Sequence, residues 1–253
     1  MSDLGGRHVL ITGGGSGIGL AAAHALAARG AKLSLLGLDG EKLGRAAAQF
    51  VDVAVLIADV ADEAAIIAAF SRAHAAHGPV HILINNAGIA PSAPFQATDL
   101  ALWNQTLAAN LTGAFLCTRA ALPDMLDAGW GRIVNVASTA GLKGYSYVSA
   151  YCASKHGLLG LTRALAQETA KRGVTVNAVC PGYVDTDIVA ESARRIAAKT
   201  KLSESEALDS IVRFNPQGRL IEPGEVAAAI AWLCGDGAAA INGAAIPISG
   251  GEI

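Results

Sequence analysis

Short apolar runs alternate along the chain with longer segments in which apolar residues recur at helical spacing. The runs are rich in Val, Ile and Leu, and they lie at residues 8–12, 32–37, 53–58, 81–85, 132–137, 174–179 and 244–248. Near-uniform hydrophobicity over so short a run is typical of strands buried on both faces of a parallel sheet. The pattern therefore predicts a parallel sheet of about seven strands.

The segments between the runs predict helices at residues 17–29, 40–50, 62–77, 99–127, 149–172 and 222–234. Strands that alternate with helices in this way favour an α/β fold, in which a doubly wound parallel sheet has helices on both faces. The crossovers between parallel strands should be right-handed. No internal repeat or linker divides the chain, so we predict one domain over residues 1–253.

Two segments interrupt this alternation. Residues 90–98 carry Pro and Ser after the fourth predicted strand, and residues 182–220 are long, polar and partly helical. Segments of this kind, which stand outside the regular scaffold, are commonly lids or binding elements. We expect a substrate-binding loop at about residues 183–215.

The composition narrows the classes of partner. Among 253 residues, 52% are hydrophobic and 16% are charged, which argues against disorder. The net charge of −2 shows no basic excess, so we expect no nucleic-acid partner. No apolar stretch reaches the ~18 residues of a membrane helix, and the first residues lack signal-peptide features, so we expect a cytoplasmic protein with no membrane partner. The four cysteines are far apart, which predicts reduced thiols and no metal site.

A glycine-rich turn follows the first predicted strand and opens the first predicted helix. In the run TGGGSGIG at residues 12–19, Gly13, Gly17 and Gly19 permit a tight turn. They also let a pyrophosphate approach backbone N–H groups at the start of the helix. The strand–turn–helix context is the one that a dinucleotide-binding turn requires, although an ordinary glycine-rich turn is the alternative.

A tyrosine and a lysine stand four residues apart in the run YCASKHG. Tyr151 and Lys155 would share one face of a helix, and Ser138 lies thirteen residues before the tyrosine. A phenol with an ordinary pKa near ~10 is a poor acid or base at neutral pH, but a nearby cation lowers that pKa. With the Ser138 hydroxyl as a second group, this arrangement indicates proton transfer at a carbonyl or an alcohol.

These motifs, with Asp59-Val60, NNAG at 85–88, Asn110 and PGYVDT at 181–186, resemble the short-chain dehydrogenase/reductase superfamily over almost the whole chain. The resemblance implies a Rossmann-like fold and an NAD(P)-dependent oxidoreductase of secondary alcohols and ketones. It implies that Tyr151 exchanges a proton with the substrate oxygen and that Ser138 holds this oxygen. Lys155 would lower the pKa of the tyrosine and bind the nicotinamide ribose. Asn110 would hold a water that links Lys155 to solvent.

The resemblance also implies which residues contact the dinucleotide. Asp59 and Val60 would lie beside the adenine, although Asp59 could instead, or in addition, cap the next helix. The expected cofactor-binding residues are Gly13, Ser16, Gly17, Ile18, Gly19, Leu38, Asp39, Asp59, Val60, Asn86, Ala87, Gly88, Tyr151, Lys155, Pro181, Gly182, Val184 and Thr186.

The end of the second strand bears on the choice between NAD and NADP. An acid there binds the ribose 2′-OH of NAD, whereas relatives that use NADP carry a basic residue. This chain has Gly37, Leu38 and Asp39 at that point, with Ser16 in the glycine turn. Asp39 comes two residues late, and no cation stands at these positions to pair with a phosphate. We predict NAD rather than NADP, because an unpaired buried charge is costly.

The C-terminal half resembles 3-oxoacyl reductases, polyketide ketoreductases and 3-hydroxybutyrate dehydrogenases. Enzymes of that group that bind a free hydroxy acid use a His and a Lys, where this chain has Ala140 and Val148. We therefore predict a 3-hydroxyacyl/3-oxoacyl thioester as substrate. Oxidation of other secondary alcohols, whether cyclic, aryl or aliphatic, is the alternative, and a non-catalytic dinucleotide-binding regulator is a third hypothesis.

Several side chains could line the substrate site or an interface. Basic residues of the loop could meet thioester phosphates or simply be solvated, and Tyr145, Tyr147 and Tyr183 could be pocket walls or ordinary packing residues. The basic residues are Arg194, Arg195, Lys199, Lys201 and Arg213. Small apolar residues on several faces of the predicted helices at 99–127 and 149–172 favour an interface. With the resemblance, they predict a homotetramer.

Overall fold

Seven parallel strands form the centre of the fold, as the apolar runs predict. The computed structural model describes residues 3–253. Its strands are β1 (His8–Thr12), β2 (Lys32–Gly37), β3 (Val53–Ile57), β4 (Ile82–Asn85), β5 (Gly131–Val136), β6 (Val174–Pro181) and β7 (Ala245–Ile248). They lie side by side in the order β3-β2-β1-β4-β5-β6-β7. The order reverses between β1 and β4, and in open α/β sheets such a switch point marks the ligand crevice.

Helices connect the strands and cover both faces of the sheet. They are α1 (Gly17–Ala27), α2 (Gly40–Ala47), α3 (Glu63–His77), α4 (Leu100–Leu107), α5 (Gly113–Asp127), α6 (Ser149–Thr169), α7 (Asp187–Lys199), α8 (Glu204–Val212) and α9 (Pro223–Cys234). The predicted loop at 183–215 contains α7 and α8. Within residues 3–253, no helix combines the length and the apolar composition needed to cross a membrane.

The predicted helix at 99–127 is confirmed in extent, but it is not α-helical throughout. A π-helical turn, Ala108–Thr112, separates α4 from α5. Asn110 lies in this turn. Its side chain is buried and forms hydrogen bonds with the backbone of Ile89 instead of facing solvent. Turns of this type often occur at functional sites, because they displace one side chain from the regular helical spacing.

Two apolar layers explain why the strands are so uniformly hydrophobic. Val9 and Ile11 point to one face, where they pack with Leu26 of α1 and Ile230 of α9. Leu10, between them, points to the other face, towards α3, α5 and α6. Because successive strand side chains alternate between faces, both faces need apolar residues when helices cover both.

A buried histidine begins β1, at the amino ends of the strands and therefore opposite the crevice at their carboxyl ends. The ring of His8 is fully buried; its Nε2 lies 2.8 Å from Ser34 Oγ, and its Nδ1 lies 2.8 Å from the Gly78 carbonyl oxygen. The ring of His77 packs edge-on against it, with centroids 5.2 Å apart. Burial lowers the pKa of His8 to about 4. The folded protein therefore holds this ring neutral at pH values at which an unfolded chain would charge it.

We predict that His8 makes the fold sensitive to acid. Its stabilising contribution is complete above the unfolded pKa of ~6.5 and is lost as the pH falls towards the folded value. Urea unfolding from about pH 7.5 to about pH 4.5 should show a loss of roughly 2–3 kcal/mol from this group. The His8→Gln variant, which cannot titrate, should lose correspondingly less. Equal losses in the two proteins would contradict the assignment.

Candidate active site

The glycine turn between β1 and α1 leaves room that any larger residue would fill. Gly13 and Gly17 adopt positive φ angles of 64° and 52°. A Cβ on Gly19 would collide with the carbonyl oxygen of Gly13, and a Cβ on Gly17 would lie 3.0 Å from Cγ2 of Thr186. Only glycine fits this cradle, which is the shape that a dinucleotide pyrophosphate requires.

Hydrogen bonds from Thr12 fasten the glycine turn to the segment after β4. Its Oγ1 accepts from the backbone N–H groups of Asn86, at 2.9 Å, and Ala87, at 3.0 Å. The Asn86 side chain donates in return to the carbonyl oxygens of Thr12, at 3.0 Å, and Gly13, at 3.1 Å. Thr12 is not among the residues predicted for the site. A polar residue at the end of the buried strand β1 is the feature of the sequence that could have pointed to it.

The start of α1 presents free polar groups beside the cradle. Ser16 occupies the N-cap position in an extended conformation, and its exposed side chain makes no capping hydrogen bond. The first N–H groups of a helix lack partners within the helix, so those of Gly17 and Ile18 and the Ser16 hydroxyl are positioned to bind a phosphate. These residues therefore fit the predicted dinucleotide.

Asp39, which follows β2, is the N-cap of α2, a role that was not predicted from the sequence. Its Oδ1 caps α2 by accepting from the N–H groups of Lys42, at 2.9 Å, and Glu41, at 3.0 Å. The hydrogen bond from the Lys42 backbone, followed by that from Glu41, holds the pKa of Asp39 below its usual range. Leu38, by contrast, is 70% exposed.

The expectation that no cation lies near this end of the site is wrong. Lys42 packs against the glycine turn, since a Cβ on Gly15 would lie 3.3 Å from its Cβ. The Lys42 Nζ reaches Oδ2 of Asp187 on α7 at 3.1 Å. Lys42 lies in α2, which packs over the glycine turn. The sequence does not reveal this contact, because Lys42 is far from the turn along the chain.

Asp59 and Val60, the residues expected beside the adenine, follow β3. Asp59 is exposed, and its Oδ1 accepts from the Ala61 N–H at 2.9 Å. The alternative that Asp59 caps the next helix is wrong, because Asp62 caps α3. Val60 is buried, and a Cβ on Gly113 would lie 2.7 Å from its Cγ2.

Asn110 lies buried where three elements meet. Its Oδ1 accepts from the Ile89 N–H at 2.8 Å, and its Nδ2 donates to the Ile89 carbonyl at 2.9 Å and to Ser154 Oγ at 3.0 Å. A Cβ on Gly88 would lie 2.9 Å from Asn110 Oδ1 and 3.7 Å from Lys155 Nζ. Asn110 thus holds the segment after β4 next to the lysine of α6.

Ser138, Tyr151 and Lys155 come together beside this junction. Ser138 follows β5, and Tyr151 and Lys155 lie in the first turns of α6. The Nζ of Lys155 is buried, donates to the Val136 carbonyl at 2.8 Å and lies 5.6 Å from the centre of the Tyr151 ring. The structure therefore brings all four predicted catalytic residues, including Asn110, to the carboxyl ends of β4 and β5.

The direction of the pKa of Tyr151 corrects one expectation. Burial raises this pKa, and only the hydrogen bond from Ser138 opposes the rise. Burial lowers the pKa of Lys155 to about 8. The expected lowering of the tyrosine pKa by Lys155 is not seen, because burial and not the Lys155 ammonium dominates this pKa. A phenol that keeps its proton is a proton donor.

The segment after β6 brings α7 across the cleft. The N–H of Gly182, next to Pro181, donates to the Ile248 carbonyl at 3.0 Å, and Val184 pairs with Ile221. These contacts fix the chain so that Thr186, at the start of α7, faces the glycine turn.

The substrate side has an aromatic wall. The rings of Tyr145, Tyr183 and Phe214 contact one another, with centroids 5.4 to 6.5 Å apart. Tyr147 is different: its ring is 66% exposed, its φ is 67°, and its carbonyl accepts from the Ala93 N–H at 2.8 Å. That hydrogen bond joins the loop at 90–98 to the segment before α6.

Of the basic residues in the loop at 183–215, Arg195 reaches the site. It donates from Nη2 to the Ala90 carbonyl at 3.1 Å and lies 3.6 Å from Glu191. It lines a cavity of about 230 Å³ together with Gly88 and Ile89. The carboxylate of Glu191 offsets the positive charge of Arg195 at this end of the cleft.

Comparison with known proteins identifies the family. Residues 7–197 match the model of the family described as short chain dehydrogenase. A putative ketoacyl reductase of the granaticin polyketide synthase from Streptomyces violaceoruber is 42% identical over 96% of this chain and 91% of its own length. An acetoacetyl-CoA reductase from Rhizobium meliloti is 40% identical over 97% of this chain and 98% of its own. A D-β-hydroxybutyrate dehydrogenase from Cupriavidus necator is 39% identical over 99% of both.

A solved structure agrees with this assignment. A Phe-to-Trp variant of actinorhodin polyketide ketoreductase, determined with NADPH, superposes with a TM-score of 0.94 at 37% identity and covers 97% of each chain. The sheet order, the glycine cradle and the four assembled polar residues are thus found in a chain that aligns with such enzymes along its length. The protein belongs to the short-chain dehydrogenase/reductase family and is an NAD(P)-dependent oxidoreductase of alcohols and ketones.

Proposed function

We propose that the protein interconverts a 3-hydroxyacyl thioester and the corresponding 3-oxoacyl thioester. The observation that carries the reaction is the meeting of Asn110, Ser138, Tyr151 and Lys155 beside the glycine cradle. A ketoacyl reductase and an acetoacetyl-CoA reductase among the relatives support the substrate class. The apolar Ala140 and Val148, where a free-acid enzyme would carry cations, support it independently.

The roles of the four residues follow from their contacts. When bound, the nicotinamide supplies or accepts the hydride. In reduction, the Tyr151 hydroxyl gives its proton to the substrate carbonyl oxygen, and in oxidation it takes the proton back. Ser138, within hydrogen-bonding reach of Tyr151, holds the same oxygen. Because burial favours the protonated phenol, Tyr151 carries the proton that reduction consumes.

Lys155 and Asn110 support this proton transfer. Lys155 has a pKa of about 8, close enough to neutral pH for it to lose and regain a proton. Asn110 holds Ile89 and Ser154 around it and so fixes the position of the lysine relative to the tyrosine. We propose that protons reach Tyr151 through Lys155 and a water held next to Asn110.

For the cofactor we propose NAD. Residues of the cradle, the segment after β4 and the start of α7 would hold the dinucleotide, and Lys155 would bind the nicotinamide ribose. Asp39 carries a negative charge at the N-terminus of α2, beside the expected 2′ position, and repels a phosphate. Lys42, the nearby cation, has a partner in Asp187. A related ketoreductase was determined with NADPH, so the preference of this chain for NAD over NADP needs a direct test.

Replacing Asp39 with Ser tests the cofactor preference. Serine keeps the N-cap of α2 but removes the charge. We expect the wild type to use NADH better than NADPH, and Asp39→Ser to shift the ratio of their kcat/KM values towards NADPH by roughly tenfold. Asp62→Ser, the same exchange at the cap of α3, is the matched control and should leave the ratio unchanged. A wild type that prefers NADPH, or no shift in Asp39→Ser, would refute the proposal.

One observation favours a second candidate substrate class. The aromatic wall of Tyr145, Tyr183 and Phe214 would also suit a cyclic or aryl ketone, because flat rings pack well against aromatic faces. The third hypothesis, a regulator without activity, finds no support, since each residue of the catalytic set is present and placed with its partners.

A comparison of substrates with and without Tyr151 tests the proposed reaction. The wild type should reduce acetoacetyl-CoA more efficiently than a cyclic ketone of similar size. Tyr151→Phe should lower kcat by about 10²–10⁴-fold on every substrate, because the proton donor is lost. Its affinity for the dinucleotide, measured by cofactor fluorescence, should fall far less. Equal rates in Tyr151→Phe and the wild type would refute the mechanism, and a faster cyclic ketone would favour the second class.

We also propose that the protein is a cytoplasmic homotetramer. Leu100 at the start of α4 and Phe115 on α5 are large apolar residues that are 72% and 43% exposed. Large apolar residues that stay exposed in one part of a surface are typical of interfaces. The contacts between subunits would then involve α5, α6 and β7.

A further inference from the structure

A buried carboxylate lies beside the substrate cleft, and the catalytic steps do not use it. The side chain of Glu252 is 3% exposed. Its Oε1 accepts from the Tyr145 hydroxyl and lies 3.0 Å from the Nζ of Lys143. Its Oε2 is buried and has no hydrogen-bond partner among residues 3–253.

The position of Glu252 links it to the reacting end of the cleft. Its Oε2 would lie 3.1 Å from a Cβ on Gly182, at the end of β6. The Tyr145 hydroxyl that it binds lies 2.7 Å from Oγ1 of Thr139, the residue after Ser138. Tyr145 belongs to the aromatic wall, so the carboxylate stands directly behind the surface that a substituent of the carbonyl carbon would touch.

The charges around Glu252 form a closed pair. Lys143, whose side chain is 39% exposed, is the one cation within hydrogen-bonding distance of this carboxylate in the described chain. Burial, followed by the hydrogen bond to Glu252, raises the pKa of Tyr145 and keeps its hydroxyl neutral. Glu252 thus engages Lys143 at the aromatic wall and leaves this cation less available to an anionic substrate.

We propose that Glu252 is a specificity-determining residue that makes the cleft reject substrates whose free carboxylate is separated from the reacting carbonyl by one carbon, and accept neutral esters and thioesters. It does so by engaging Lys143 and by adding a buried negative charge. This inference rests on the proposed function and names the element that separates thioesters from the free acids of the same chain length. Specificity of this kind arises from a repulsive group as much as from an attractive one.

A purely structural role for Glu252 has a different signature. The residue anchors the segment after β7 to Tyr145 and Lys143, so its loss could loosen the wall for every substrate. Such loosening would lower kcat/KM for charged and neutral substrates in parallel. A change in the ratio between the two isolates the effect of charge.

The experiment compares acetoacetate with ethyl acetoacetate, which share the carbonyl and differ in charge. In the wild type, kcat/KM should strongly favour the ester. Glu252→Gln, which keeps size and hydrogen bonding, should raise the ratio of acid to ester by about tenfold or more. Lys143→Gln should lower the ratio, and the double variant should fall between the two single variants. Parallel losses, or an unchanged ratio in Glu252→Gln, would overturn the proposal.

Two controls keep the outcomes separate. If Glu252→Gln does not fold, Lys143→Gln still tests the pair from its more exposed side, and an unchanged or higher ratio there would overturn the proposal. Wild-type kcat/KM for acetoacetyl-CoA against ethyl acetoacetate tests the proposed thioester function alone. A poor thioester would refute that function, yet the acid-to-ester ratio would still decide the role of Glu252.

Discussion

The hydrogen bonds between Thr12 and Asn86 are the contacts on which the site depends. They join the ends of β1 and β4, between which the strand order reverses, and thereby hold open the crevice that the glycine turn lines. Asn86 also donates to the Gly13 carbonyl oxygen, so the glycine turn and the segment after β4 are held together. That segment leads through Gly88 to Asn110 and Lys155, so the cofactor cradle and the catalytic residues share one rigid support.

The support beneath the catalytic residues is itself polar. Asn85 donates to Asn135 across β4 and β5 at 2.8 Å, and Asn135 donates to Thr162 of α6 at 2.9 Å. Buried amides cost stability unless they are paired; the side-chain N–H groups of both residues are paired, whereas Asn85 Oδ1 has no hydrogen-bond partner among residues 3–253. Their bonds connect the two strands to the helix that carries Tyr151 and Lys155. The site thus exchanges some apolar packing for a fixed distance between the groups that transfer protons.

The sequence was sufficient for the strands and the doubly wound order, because both depend on local pattern, and its motifs named the four polar side chains that the structure brings together. It was insufficient where contacts join distant segments. The π-helical turn at Asn110 depends on Ile89, and the position of Lys42 depends on how α2 folds over the glycine turn. The sign of the shift at Tyr151 depends on burial, which spacing alone does not reveal. Glu252 lies more than a hundred residues from the tyrosine that it binds.

Reactivity and selectivity are therefore held by different parts of the molecule. In the proposed reaction, Tyr151, Ser138 and Lys155 act on the oxygen being reduced and not on the rest of the substrate. Selectivity must come from groups that touch the substituents of the carbonyl: the aromatic wall, the Arg195 end of the cavity and the pair formed by Glu252 and Lys143. These groups lie outside the sheet, on α7 and on loops, where a substitution can alter the choice of substrate without disturbing the catalytic geometry. A family that shares one reaction can thus differ in substrate, and in this chain the proposed role of the buried Glu252 carboxylate is one source of that difference.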